Sequence, residues 1–255
     1  MTASLTYLFC VVRAGRKPAV GRLPAHLPGA GPLRLLDVDP STWLVVASVP
    51  ANEYDEAALA AGLLDMDWVG QRAMAHEAVV EQFLGARAVL PMQLFALFTS
   101  DERAVAHVRR SWRKVARILA RIDRQHEWGV RLTFDEKSAQ EQAGGARTRR
   151  TLRSGVEYLA RKRDQLAVSR AQLAAARTAA NRIYRALVRE ATDARRRTSL
   201  ERSAPGSRLL LDAAFLVPTG RAARFRAALR QQARALDAAG VVVSLTGPWP
   251  PYNFV

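Results

Sequence analysis

Glu127-Trp128-Gly129-Val130-Arg131-Leu132-Thr133-Phe134 alternates without a slip. Trp128, Val130, Leu132 and Phe134 fall on one side of an extended chain, and Glu127, Gly129, Arg131 and Thr133 on the other. A period of two over eight residues predicts a half-buried strand. Downstream, Gly155 to about Arg197 reads as helical, Leu209–Val217 as a strand, Arg221–Ala239 as a helix and Val241–Leu245 as a last strand. Thr219 is placed to cap the second helix and Gly240 to end it. Strand–helix–strand–helix–strand predicts one sheet with helices on one face, a modified ferredoxin-like fold with an elaborated first helix. This order lacks the fourth strand of such a sheet.

Upstream, Leu5–Val12 is apolar and rich in β-formers, as a strand buried on both faces is. Arg13–Gly31 carries Gly, Pro and Arg and predicts a loop. Leu33–Val38 and Trp43–Val49 flank Asp39-Pro40-Ser41 and read as neighbouring antiparallel strands. Helices are expected at Ala57–Leu64 and Met66–Leu84, the second with Met66, Val69, Ala73, His76, Val80 and Phe83 on one face. Leu94–Phe98 is a further strand candidate. Thr99, with Glu102 three residues on, fits a capping box for one helix carrying Val105, Val108, Trp112, Val115, Leu119 and Ile122. The fold class is α+β in two domains: residues 1–125, then residues 126–245 with a helical extension over about 150–200. A docked tail, residues 246–255, follows.

The chain has 255 residues, 49% of them hydrophobic, enough for a sizeable core and too many for wholesale disorder. The one cysteine, Cys10, excludes an intrachain disulfide framework. The net charge of +16 is uneven: residues 1–100 hold 7 bases and 9 acids, whereas residues 144–202 hold 16 and 5. Only four bases are lysines. In the basic helix Leu152, Leu159, Leu166, Leu173, Ala180 and Leu187 recur every seven residues. The companion seam carries Arg163, Arg170 and Arg177, which argues against an ordinary zipper. Arg161, Arg163, Arg170 and Arg177 are the candidate basic partner surface. Nucleic acid is the second reading, as a ferredoxin-like module using this segment. It lacks aromatic readers, because Tyr158 and Tyr184 are the only aromatics from 144 to 202.

Catalytic signals are weak. His76-Glu77 begins like a zincin motif, but position 80 is Val. His76 lies on the apolar stripe, so a core histidine is the plainer reading, and a hydrolase around His76 and Glu77 requires an open cleft there. Cys10 sits in a buried strand as an inert thiol. No phosphate-binding glycine loop or nucleophile elbow appears. No catalytic, cofactor-binding or metal-binding residues are assigned, and no small-molecule substrate, cofactor or membrane segment is expected.

The tail is Thr246-Gly247-Pro248-Trp249-Pro250-Pro251-Tyr252-Asn253-Phe254-Val255. Its prolines stiffen it, and Trp249, Tyr252 and Phe254 would be an aggregation liability if free. Pro248, Trp249, Pro250, Pro251, Tyr252 and Phe254 are therefore candidates for a domain clamp or a partner-binding peptide. This ending resembles the carboxyl-terminal signature of the gas vesicle protein F/L family (GvpF/GvpL). Further matches run in order along the chain: Tyr7-Leu8-Phe9, Arg72–Val80 (RAMAHEAVV), Val89-Leu90-Pro91-Met92, Glu127-Trp128-Gly129-Val130 and Tyr158–Asp164. Gln93-Leu94-Phe95 departs from the basic residue and Phe-Gly of many members and leans toward the F type. The resemblance implies a non-enzymatic accessory or minor structural protein of gas vesicles, located in the cytoplasm at the vesicle. Its implied partners are the shell protein GvpA and other Gvp proteins. It also implies two α+β domains, the second modified ferredoxin-like, packed through the tail.

Overall fold

A computed structural model describes residues 3–20, 27–135, 155–198, 206–234, 236 and 240–255, without the side chains of 155–158, 160, 161, 164 and 165. Of the polar stretch Asp135–Arg153, whose Gly144-Gly145 predicts a loop or short helix, all but Asp135 lies outside the described residues, as does His26. The chain forms two compact units, residues 1–126 with 248–255, and residues 127–247.

In the first unit β1 (Ser4–Arg13) is the pivot. It pairs antiparallel with β3 (Thr42–Pro50), which pairs antiparallel with β2 (Arg34–Asp39). On its other side β1 pairs with both β4 (Ala88–Pro91) and β5 (Leu97–Phe98). Apolar residues on both faces of β1 explain why Tyr7 to Val12 are all buried. The register shifts between Leu8 and Cys10. That bulge turns Phe9 and Cys10 into the same core as Tyr7, against Tyr54, Ala75, Val79, Val80 and Phe83.

Helices α1 (Ala51–Tyr54), α2 (Glu56–Gly62) and α3 (Met66–Glu81) follow β3. The buried face of α3 is Arg72, Ala75, His76, Val79 and Val80. The predicted stripe is thus rotated at its start: Met66 is exposed, and an arginine is inside. The expected single helix after Ser100 is two, α4 (Asp101–Arg110) and α5 (Trp112–Arg121). Ser111 breaks it, with its Oγ turned back onto the carbonyls of His107 and Val108. The N-cap is Ser100, whose Oγ accepts from the Arg103 amide, and not Thr99. Asp101 ties α4 to the sheet, accepting from Thr6 Oγ1 at 2.8 Å and from the Arg34 guanidinium. Burial works to raise this carboxyl, but those hydrogen bonds and the Arg34 charge outweigh it and hold it below the usual range.

The second unit runs β6 (Gln125–Asp135), α6 (Gly155–Val188), β7 (Asp193–Arg196), β8 (Ser207–Pro218), α7 (Ala222–Ala233) and β9 (Val241–Trp249). The sheet order is β7-β8-β6-β9, so the elements follow the β-α-β-β-α-β sequence of a ferredoxin-like unit. The strand missing from the sequence reading is β7, Asp-Ala-Arg-Arg, where a helix was expected. It pairs antiparallel with β8 from Asp193↔Leu216 to Arg196↔Ala213. A 3₁₀ turn at Thr219–Arg221 precedes α7, and Thr219 makes no side-chain cap. The alternating residues of β6 pack as predicted, with Leu211, Phe215, Phe225, Leu229 and the C-terminal part of α6 (Ala176, Ala180, Ile183 and Leu187).

On the other side of this sheet Asp212 is buried between Arg131 (3.1 Å) and Arg197 (2.6 Å). Gly129 is required beside them: a Cβ there would lie 2.5 Å from Thr246 Oγ1 and 3.2 Å from Arg197 Nη2. Gly129→Ala is therefore expected to cost about 1–3 kcal/mol of stability. Adding Thr246→Ala should recover most of it, a coupling measured by urea unfolding of the double-mutant cycle.

Candidate functional site

Two segments that carry the sequence resemblance in the first unit, at Tyr7 and His76, meet Phe95, from the stretch that departs from it, in one aromatic knot. Tyr7 comes from β1, His76 from α3 and Phe95 from the loop between β4 and β5. The Phe9 bulge opens space for that loop: Met92 N–H donates to the Phe9 carbonyl, and Leu8 N–H to the Ala96 carbonyl. Phe95 turns through φ 64°, a left-handed conformation uncommon for a phenylalanine. Its N–H donates to Tyr7 Oη at 3.1 Å.

Tyr7 Oη also lies 2.9 Å from His76 Nδ1. A phenol can donate and accept at once, so the imidazole tautomer sets which of the two carries the shared proton. Burial lowers the His76 pKa to about 4, opposed by the Met92 backbone. Burial likewise pushes the Tyr7 phenol and the Cys10 thiol well up. Tyr7 meets Tyr54 and Phe95 edge-on, and Phe95 stacks on Trp68 at 5.4 Å. Arg72 completes the layer with its guanidinium carbon 3.8 Å from the Trp68 ring and 5.6 Å from that of Tyr54. The sequence signal for this pair is Trp68 and Arg72 at i, i+4, one helical turn apart.

The tail belongs to this unit. The chain re-enters it at Pro248, directly from β9. Pro250, Pro251 and Phe254 are buried, whereas Pro248, Trp249 and Tyr252 keep exposed surface. Amides of Tyr252 and Phe254 donate to the carbonyls of Pro250 and Pro251, curling the end into a 3₁₀ turn. The Tyr252 hydroxyl hydrogen-bonds Glu77 on α3, close to Cys10 and Glu81. Burial first, then these carboxylates, raise the phenol. Glu77, the second residue of the zincin-like pair, is thus the tail's anchor.

The remaining candidates do not join this knot. Arg163, Arg170 and Arg177 are exposed on α6, and the Arg161 side chain lies outside the described residues. Tyr184 packs on Phe215 at 5.7 Å beneath Arg196, so it offers no free stacking face. His76 is buried, which counts against the hydrolase reading, since that reading requires an open cleft there. Among the described residues no group of three His, Cys, Asp or Glu could hold a metal ion, and no helix is long and apolar enough to cross a membrane. The arrangement holds strand, helix, loop and tail together.

Two outcomes follow. His76 has a folded pKa near 4 against 6.5 unfolded, so its stabilisation is complete above pH 6.5 and is lost as pH falls toward 4. Urea midpoints should show that loss, about 3 kcal/mol at full extent, and His76→Gln should flatten this part of the profile. Tyr7→Phe strands a buried N–H and a buried ring nitrogen and should cost about 2 kcal/mol, read in the same titration at pH 7.

Comparisons with known proteins fit this geometry. The family model described as "Gas vesicle synthesis protein GvpL/GvpF" matches residues 5–255. Gas vesicle protein L of Streptomyces sp. (strain CB03234) is 32% identical over 260 residues, covering 99% of this chain and 93% of that protein. The crystal structure of GvpF from Anabaena sp. PCC7120 aligns with a TM-score of 0.66 at 15% identity, over 98% of this chain and 95% of that one. GvpF from Microcystis aeruginosa aligns with a TM-score of 0.65 at 15% identity, over 99% of each chain. The sequence relative carries the L name and the two structures the F name, and one family model spans both. Matched over residues 5–255 by the family model and at 32% identity by a relative that covers nearly its whole length, the chain belongs to the gas vesicle GvpL/GvpF family.

Proposed function

We propose that this chain is a non-enzymatic assembly factor that binds the main shell protein GvpA and other Gvp proteins as a gas vesicle forms. Family membership carries the coarser part, a role in gas vesicles. The observation supporting the finer part is the use made of the motif residues. Tyr7, His76 and Glu77 are spent on holding strands, helix and tail in one body. Such residues preserve a shape, and a shape serves recognition.

The tail reading extends this. Pro248–Val255 acts as an intramolecular clamp: Phe254 is fully buried and Tyr252 is bonded to α3, so its removal uncovers core. Deleting Pro248–Val255 should lower the melting temperature by several degrees. An unchanged melt with lost partner capture would instead make the tail a partner-binding peptide.

The functional test is genetic and biochemical. A deletion strain is expected to make few or malformed vesicles, and the purified protein to retain GvpA in a pull-down. Normal vesicles in normal number in that strain would overturn the assignment.

A further inference from the structure

The strongest unexplained surfaces are two apolar faces of opposite charge. The first is on α3 and the turn before it. Leu64 is 88% exposed, Met66 77% and Met74 70%. Met66, Gly70 and Met74 are spaced i, i+4, i+8, so they line one side of the helix over about 12 Å. A Cβ at Gly70 would meet nothing within 4 Å, which leaves a shallow floor between the two methionines. Flexible thioethers around such a floor suit the docking of another side-chain ridge. The surrounding segment 51–81 is acidic, with Glu53, Asp55, Glu56, Asp65, Asp67, Glu77 and Glu81. Its one base, Arg72, is buried on Trp68. A net charge of −6 on this stretch stands out in a chain of +16.

The second face is on the N-terminal half of α6. Among the described residues core packing of this helix begins near Leu173, and the two heptad leucines before it stand largely in the open: Leu159 is 65% exposed and Leu166 51%. Lys162, Arg163, Arg170 and Arg177 lie along the same stripe, all exposed, with no acid at these positions. Leu159 and Leu166 are about 11 Å apart along the axis, matching the Met66–Met74 spacing.

We infer that the acidic methionine face of α3 docks the basic leucine stripe of α6 from a second copy of this chain. Leu159 and Leu166 seat against Met66, Gly70 and Met74. The arginines beside them meet the carboxylates flanking α3. The two faces differ, so the contact is head-to-tail, and each added copy leaves one face of each kind open. Such an association grows until it closes into a ring. It does not depend on GvpA binding.

Sedimentation velocity of the purified full-length chain tests this. Association should rise with protein concentration and weaken at least about tenfold between 50 and 500 mM NaCl. Met66→Lys/Met74→Lys and, separately, Leu159→Glu/Leu166→Glu should each sediment as monomers, with melting temperatures like the parent. Mixing those two variants should restore a complex that stops at two chains, because each retains the face the other lacks. Failure of the mixture to associate, association that either double variant leaves intact, or a parent that is monomeric at low salt at every concentration would overturn the inference.

Discussion

A single phenolic hydroxyl organises the first unit. Tyr7 Oη accepts the Phe95 amide and hydrogen-bonds His76 Nδ1, so one buried group joins a strand, a helix and a left-handed loop residue. Tyr7 and His76 are buried, and an unmade hydrogen bond there costs more than a made one gains. The constraint propagates. Tyr7 lies beside the bulge at Phe9, the bulge admits the 92–96 loop, and the loop brings Phe95 onto Trp68. Trp68 in turn sandwiches Arg72, and α3 carries Glu77 to Tyr252 of the tail.

His76-Glu77 has the residue types of a hydrolytic site, yet both side chains have structural partners. The imidazole is buried and neutral. The carboxylate holds a phenol. The second unit uses its charges in the same way: Asp212 sits between Arg131 and Arg197 beneath a glycine that leaves them room. The two units share a logic in which polar groups fix register and packing, while the charge that remains on the surface is segregated by sign.

Most of the fold was legible from pattern. The alternation of 127–134 predicted β6, because a strand exposes every second residue to the core. The apolar run at 5–12 predicted a strand buried on both sides. The tail's prolines and aromatics predicted docking. Where pattern failed, a local rule had been overridden. Asp193–Arg196 has no β-forming composition and is a strand because β8 offers it an edge to pair with. The helix after Ser100 broke at Ser111, where a hydroxyl competes for backbone carbonyls, although the apolar period runs through it. On α3 the period pointed to Met66 and missed Arg72, since an aromatic stack can make an arginine a core residue.

The amino-acid order alone determined the family, the two α+β halves, the place of the basic excess and the absence of a catalytic motif. These depend on composition, period and motif, which are properties of neighbours in the chain. Tertiary structure decided which residues the motifs serve. Tyr7, His76 and Phe95 are separated by up to 88 residues, and Glu77 meets Tyr252 only after the chain has passed through a second unit and returned. It also decided that the leucines at 159 and 166 stay outside while those at 173 and 187 go in. Their seam is continuous in sequence, but only its later positions meet the core that β6 and β8 build.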